Sequence, residues 1–249
     1  MKAFFKQFTK FDIILFFISL IIIIVSFFAC GNDKYVYLAT SITGLLLLTF
    51  VAKGSFIGQI FTIIFAVLYG VVSYSYKYYG EMITYLGMSA PIAVAALISW
   101  IRNPAKGEIK EVEVNSLSYK EYIFLSVLSL AVTAVFGFIL SVFHTANLIL
   151  STVSVWSSFT AAYLTLRRSR FYAIAYAIND IILIALWTLA SVDSPQYIAM
   201  VVNFVVFLVN DTHGFINWTK MQLRQKKSEQ NASSEQPDCH SERSEESIT

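Results

Sequence analysis

Asn203, Asn210 and Asn217 recur at a spacing of seven within an otherwise apolar stretch. Residues seven apart fall on one face of a helix, so this spacing predicts a stripe of carboxamides, with Asp211, His213 and Gly214 close to it. A second polar group, Asn179-Asp180, is followed by Trp187, which the helical repeat returns to the face of Asn179. Carboxamides pair donors with acceptors and suit hydroxyls and amides, while Trp and Tyr offer flat faces for stacking and for attraction to a cationic ring. The combination fits a flat heteroaromatic compound carrying polar groups, such as a vitamin or a nucleoside. Trp156, Tyr172 and Tyr197 add aromatic faces in the same half of the chain. Gln59 and Tyr69, with Tyr85 and Ser89, are the candidates from the first half.

Each of these groups also has a plainer reading. Asn in a membrane often does no more than hold helices together. Asp180 and Asp211 could be paired carboxylates of an intramembrane enzyme, and the sequence leaves their depth open. A polar stripe would equally suit a non-catalytic scaffold or receptor subunit. Taken together, the residues favour a site for a small molecule. Several other classes are excluded by what is missing. There is no Gly-rich Lys-Ser/Thr phosphate loop for ATP-driven pumping, no His-Glu-x-x-His or Gly-x-Ser-x-Gly, and no Arg/Lys series of a voltage sensor. His144 and His213 stand apart and are expected to serve packing or hydrogen bonding. No cofactor, no metal and no nucleic-acid partner is expected.

The elements that must hold these residues are spanning helices, so the expected fold class is all-α integral membrane protein. Hydrophobic residues make up 57% of the chain and charged ones 14%, with a mean hydropathy of +0.64. A soluble domain could not cover that much apolar surface, so the lipid bilayer is the expected surrounding. A spanning helix needs about 20 apolar residues, and eight runs approach that length: 13–29, 35–52, 57–75, 80–100, 122–142, 148–166, 171–190 and 196–218. Very short links such as Lys53-Gly54-Ser55 force antiparallel hairpins, because unpaired backbone is not tolerated in lipid. Pro91 should kink its helix by withholding a backbone donor.

Basic residues set the orientation. With both termini in the cytoplasm, Lys2, Lys6, Lys10, Lys53, Arg102, Lys106, Lys110, Lys120, Arg167, Arg168, Arg170, Lys220, Arg224, Lys226 and Lys227 all fall inside, and the outer loops keep only Lys34 and Lys77. Cys30 and Cys239 then lie on opposite sides and cannot pair. The first run, three lysines before Phe28-Ala29-Cys30-Gly31, has the look of a secretory leader. Phe27, three places before Cys30, and the immediate start of the next run favour its retention. The long polar loop 101–120 divides the membrane part, and the chain from about residue 224 onward is expected to be disordered.

The runs also repeat. Those at 35–52, 57–75 and 80–100 form one triplet, and those at 148–166, 171–190 and 196–218 form another. Tyr79 and Tyr197, Met82 and Met200, and Trp100 and Trp218 are each 118 residues apart. One helix, 122–142, lies between the triplets, and an odd linker makes them parallel repeats about an axis along the membrane normal. Transporters built this way bind their cargo between the repeats near the midplane. The expected segments are therefore an extra N-terminal helix at 1–34, a first three-helix bundle at 35–100, loop and linker helix at 101–143, a second bundle at 144–220 and a tail at 221–249.

The stretch from Tyr176 through Asn179-Asp180 to Trp187, followed by Asn203-Phe204, Asn210-Asp211 and Gly214-Phe215-Ile216-Asn217-Trp218, resembles the PnuC family of bacterial nicotinamide riboside transporters. Tyr79-Gly80, Pro91, Trp100 and Trp156 are similar to the same family, and the resemblance spans roughly residues 35–220. It implies a 3+1+3 arrangement like that of SWEET sugar transporters, here with one extra N-terminal transmembrane helix. It also implies residence in the bacterial cell (inner) membrane and facilitated diffusion of the riboside, trapped by phosphorylation inside the cell for NAD synthesis. Some relatives instead carry thiamine or riboflavin, and a homotrimer is implied by the family alone. One departure stands out: where many members carry Trp-x-x-Trp before the Asn of the sixth core helix, this chain has Tyr172 and Ala175. Tyr can still stack, but Ala cannot.

Overall fold

The computed structural model describes residues 8–31, 34–75, 78–105, 111–145 and 147–234. Cys239 lies outside these residues, as do Lys2, Lys6, Lys77, Lys106 and Lys110 among the charges used to set the orientation. The described chain is helical: α1 (Lys10–Ala29), α2 (Tyr35–Val51), α3 (Ile57–Ser75), α4 (Tyr79–Thr84), α5 (Ala90–Arg102), α6 (Tyr119–Val142), α7 (Leu148–Leu166), α8 (Tyr172–Asp193) and α9 (Ile198–Ser234). Among the described residues, seven helical stretches are long and apolar enough to cross a membrane, with α4 and α5 counting as one, and α2 is a shorter apolar helix of 17 residues. That length is the lower end of what spans a bilayer core.

Local chemistry explains the boundaries. α1 begins earlier than the apolar run alone suggests, because Thr9 and Asp12 form a reciprocal capping box, and Ser118 and Glu121 do the same for α6. The run expected as one helix at 80–100 is broken. A π turn at Tyr85–Ser89 joins α4 to α5, and the amide of Ala90 reaches back to Tyr85 O. Pro91 follows at once, and its missing N–H makes the wider turn tolerable at that point. The last helix brings a correction. It runs on to Ser234, although disorder was expected from about residue 224. The Gln, Lys, Arg and Glu residues there are good helix formers, and Arg224 and Gln225 are tied down by partners on a loop.

That loop organises one end of the bundle. α2 turns into α3 through Gly54, and α7 turns into α8 through Arg168, both with left-handed backbone (φ 63° and 58°). Gly adopts this freely, whereas for Arg it costs roughly 1–2 kcal/mol. The two turns carry the same hydrogen bonds. Ser55 N–H donates to Phe50 O and Ser169 N–H to Leu164 O; Gly54 N–H donates to Val51 O and Arg168 N–H to Thr165 O. Residues 111–116 then cross both turns as a strap. Val112 N–H donates to Gly54 O at 2.9 Å and Asn115 N–H to Arg168 O at 3.0 Å. The strap is held from the far side by α9, through Arg224 and Gln225 on Glu111, Gln225 Oε1 on Val114 N–H and Gln222 on Ser116.

α1 packs against α2 and α9. Asp12 near its start bonds Lys53 Nζ at 2.6 Å and His213 Nε2 at 2.7 Å, and Asn217 Nδ2 completes the group 3.0 Å from His213. His213 thus serves the hydrogen-bonding role expected of it. The outward faces of α1 (Phe11, Phe17, Phe28) and α6 (Val127, Leu130, Phe138) carry exposed apolar side chains, which only lipid can cover favourably.

Candidate functional site

Asn179, midway along α8, is the best-anchored polar side chain in the membrane interior. Its Oδ1 accepts hydrogen bonds from Ser157 Oγ at 2.8 Å, Ser158 Oγ at 2.9 Å and Ser154 Oγ at 3.4 Å, all buried on α7. Ser-x-x-Ser-Ser places the three hydroxyls on one helical face, so the cradle follows directly from sequence spacing. The acceptor side of the amide is fully used. What Asn179 has left is its N–H side, which lies within reach of the Tyr85 hydroxyl on the cavity wall.

A cavity opens beside this amide, walled by α2, α3, the π turn, α7, α8 and α9. Phe65, Phe204, Phe207 and Tyr85 provide aromatic walls, and Gln59, Tyr172, Tyr176, Asn179, Asp180 and Asp211 provide polar groups. The π turn sets Tyr85 and Ser89 into this wall. Gly44 allows the wall to close, since a Cβ there would fall 2.1 Å from the Phe207 ring.

Three buried polar atoms on the wall have no partner: Gln59 Nε2, Gln59 Oε1 and Asp180 Oδ2. The carboxyl groups of Asp180 and Asp211 lie within hydrogen-bonding reach of each other. Orphaned buried groups are costly in a folded protein, about 1–3 kcal/mol each, and they become useful when a ligand satisfies them.

Aromatic residues close the cavity at both ends. On the side away from the strap, Trp187 Nε1 donates to Tyr69 Oη at 3.0 Å. Tyr69 packs on Tyr85 with ring centroids 4.3 Å apart, and Tyr78 and Tyr197 flank the Trp187 ring at 5.0 and 5.8 Å. On the strap side, Trp218 meets Tyr172 at 4.9 Å and Trp100 at 5.4 Å. Trp187 and Trp218 are both fully buried.

The expected site residues therefore divide. Gln59, Tyr172, Asn179, Asp180 and Asp211 line the cavity, while Tyr69, Trp187 and Tyr197 belong to the plug above it. Trp156 is on an outer face of α7, 39% exposed. The carboxamide stripe does not face the cavity as a unit. Asn210 Nδ2 bonds Ser19 of α1 at 3.1 Å and Asn217 bonds His213. Asn203 is buried, with Oδ1 unpartnered, away from the cavity lining. The face that does line it carries Phe204, Phe207 and Asp211, one residue round the helix from the asparagines.

Sequence reasoning missed the serine cradle, Tyr176, Phe204, Phe207 and Glu81. The last is a fully buried carboxyl on α4 beside Ser154, with Oε2 unpartnered. A lone acid in an apolar run was a readable signal for it.

The family model described as nicotinamide mononucleotide transporter matches residues 34–220. The chain belongs to that family. Among its relatives, the nicotinamide riboside transporter PnuC of Neisseria mucosa is 29% identical over 201 residues, covering 79% of this chain and 76% of the relative. The protein of the same description from Haemophilus influenzae is 25% identical over 193 residues, covering 77% and 82%. A crystal structure of the vitamin B3 transporter PnuC matches with a TM-score of 0.78 at 28% identity, over 90% of this chain and 98% of that one. The family is one of transporters, so Asp180 and Asp211 are not read as catalytic carboxylates. The matched segment begins just before α2 and leaves α1 outside it.

Proposed function

We propose that this chain imports nicotinamide riboside across the bacterial cell membrane by facilitated diffusion. The observation that carries the reading is the cavity between two aromatic plugs, with the amide of Asn179 fixed and that of Gln59 unpaired. A carboxamide-bearing pyridine ring with a ribose needs donors, acceptors and flat walls, and the cavity supplies all three. The two relatives described as nicotinamide riboside transporters point to the same cargo. Downhill entry requires a sink, which phosphorylation of the riboside inside the cell provides on the route to NAD.

The arrangement is taken as two parallel three-helix bundles, α2–α5 and α7–α9, with α6 as linker and α1 added. The matched turns at Gly54 and Arg168 support this plan. Both termini are assigned to the cytoplasm, where the strap end collects Lys53, Arg102, Arg167, Arg168, Arg170 and Lys220. The assembled form is taken to be a homotrimer, as the family resemblance implies.

Uptake of labelled nicotinamide riboside into proteoliposomes tests this. It should proceed without a proton or sodium gradient, and the riboside recovered inside should be chemically unchanged. The second reading is another flat vitamin, thiamine or riboflavin. It is favoured by Ala175, which leaves one stacking position without a ring. Uptake of either compound with no response to the riboside would replace the first reading by the second.

A further inference from the structure

We propose that Asp180 and Asp211 together form the counter-charge for a cationic ring, so that the cavity selects positively charged heteroaromatic compounds over uncharged compounds of the same shape. The inference rests on the transport reading above and adds to it the charge class of the cargo. Both carboxyl groups are buried and line the cavity, on neighbouring helices α8 and α9. Two buried carboxyl groups this close share protons, and the pair gives up one of them, to carry a single negative charge, most readily when a positive charge stands beside it.

Among the described residues that line the cavity there is no Lys, Arg or His to balance that charge. The nearby candidate, Lys53, is committed to Asp12. A buried charge without a partner is unfavourable, and a singly charged cation entering the cavity would relieve it. Asp180 Oδ2, buried and unpartnered on the wall, is the atom left to meet it. The aromatic walls act in the same direction, because their ring faces attract cations. A pyridinium or thiazolium ring meets these demands. A dihydropyridine does not, and a phosphate monoester would add repulsion.

The test compares nicotinamide riboside with its reduced 1,4-dihydro form, which is nearly the same size but uncharged, by calorimetric binding to the full chain in detergent or nanodiscs. The wild type should prefer the cation by on the order of tenfold. Asp180→Asn and Asp211→Asn should each keep that preference, because the amide can donate to the remaining carboxylate in place of the protonated partner. The double variant should bind the two forms about equally, and its melting temperature checks that it remains folded.

Equal binding of the two forms by the wild type would overturn the inference, as would an unchanged preference in the double variant. If neither riboside binds while thiamine does, the riboside reading fails, and the comparison of thiamine with its uncharged tetrahydro form decides the charge inference. Riboflavin as the sole ligand would overturn both.

Discussion

Trp100 and Trp218 meet ring to ring, centroids 5.4 Å apart, and each sends its indole N–H across to the opposite half of the bundle. Trp218 Nε1 donates to Val51 O at 2.8 Å, at the end of α2, and Trp100 Nε1 donates to Thr165 O at 2.9 Å, near the end of α7. The exchange is reciprocal, because Val51 and Thr165 occupy the same place in the matched turns at Gly54 and Arg168. The C-terminal carbonyls of a helix have no partner within it. Here the two tryptophans add a second donor to carbonyls that already accept from Gly54 N–H and Arg168 N–H in the turns, and at the same time close one end of the cavity.

Trp218→Phe keeps most of the ring but removes the donor. Val51 O then keeps only the turn's Gly54 N–H, so the loss of one buried hydrogen bond should cost about 0.5–1.5 kcal/mol and lower the melting temperature. Because the closure at the strap end is loosened, exchange of bound ligand should also accelerate. Stopped-flow release from the purified protein would measure this, and unchanged release with a normal melting temperature would contradict closure of the cavity by Trp218. Trp100→Phe should behave in the same way, since its bond is the mirror of the first.

At the other end, Trp187 and Tyr69 form one closure, their side chains joined at 3.0 Å. Tyr69→Phe deletes only the acceptor hydroxyl and should cost about 0.5–1.5 kcal/mol. Trp187→Ala empties a fully buried site and should cost about 3–5 kcal/mol, with faster leakage of preloaded riboside from proteoliposomes. If both variants retain cargo as well as the wild type does, the plug lies elsewhere.

Much of this architecture could be read from the sequence, and the reasons differ from part to part. Spanning helices were legible because a bilayer demands long apolar runs, and the kink near Pro91 because a missing N–H has a local effect. Asn179 was legible because a polar group at membrane depth is conspicuous. Asn210 was equally conspicuous and was assigned to the same site, yet it bonds Ser19 of α1. Periodicity shows which residues share a face and says nothing of what that face meets. Phe204 and Phe207 were invisible for the opposite reason, since aromatic residues abound in this chain and only packing picks out those that wall the cavity. The strap was missed because its hydrogen bonds use backbone groups, which every sequence possesses.

The serine cradle gives a prediction that separates positioning from contact. Replacing Ser157 and Ser158 together by Ala removes the two shortest bonds to Asn179 Oδ1. The amide keeps its donors but loses its fixed orientation, so riboside affinity should fall, by about five- to thirtyfold for a loss near 1–2 kcal/mol. Asn179→Ala should do at least as much harm, and adding the serine changes to it should cost affinity little more. Additive losses would show that the serines act on the ligand independently of Asn179.

The last prediction concerns α1, which lies outside the segment matched by the family. Asp12 satisfies two basic side chains at once, Lys53 at 2.6 Å and His213 at 2.7 Å, and Lys53 is nearly buried. Removing one member of a buried ion pair strands the other, which typically costs 3–5 kcal/mol. Asp12→Ala should therefore lower the melting temperature far more than a change on the lipid-facing side of α1, such as Phe17→Ala. Replacing Lys53 by Met in the same chain should restore part of the loss, because the stranded charge is then gone. That rescue distinguishes the electrostatic explanation from simple loss of packing. If Asp12→Ala,Lys53→Met melts no higher than Asp12→Ala alone, the pair does not fasten α1 to the turn between α2 and α3.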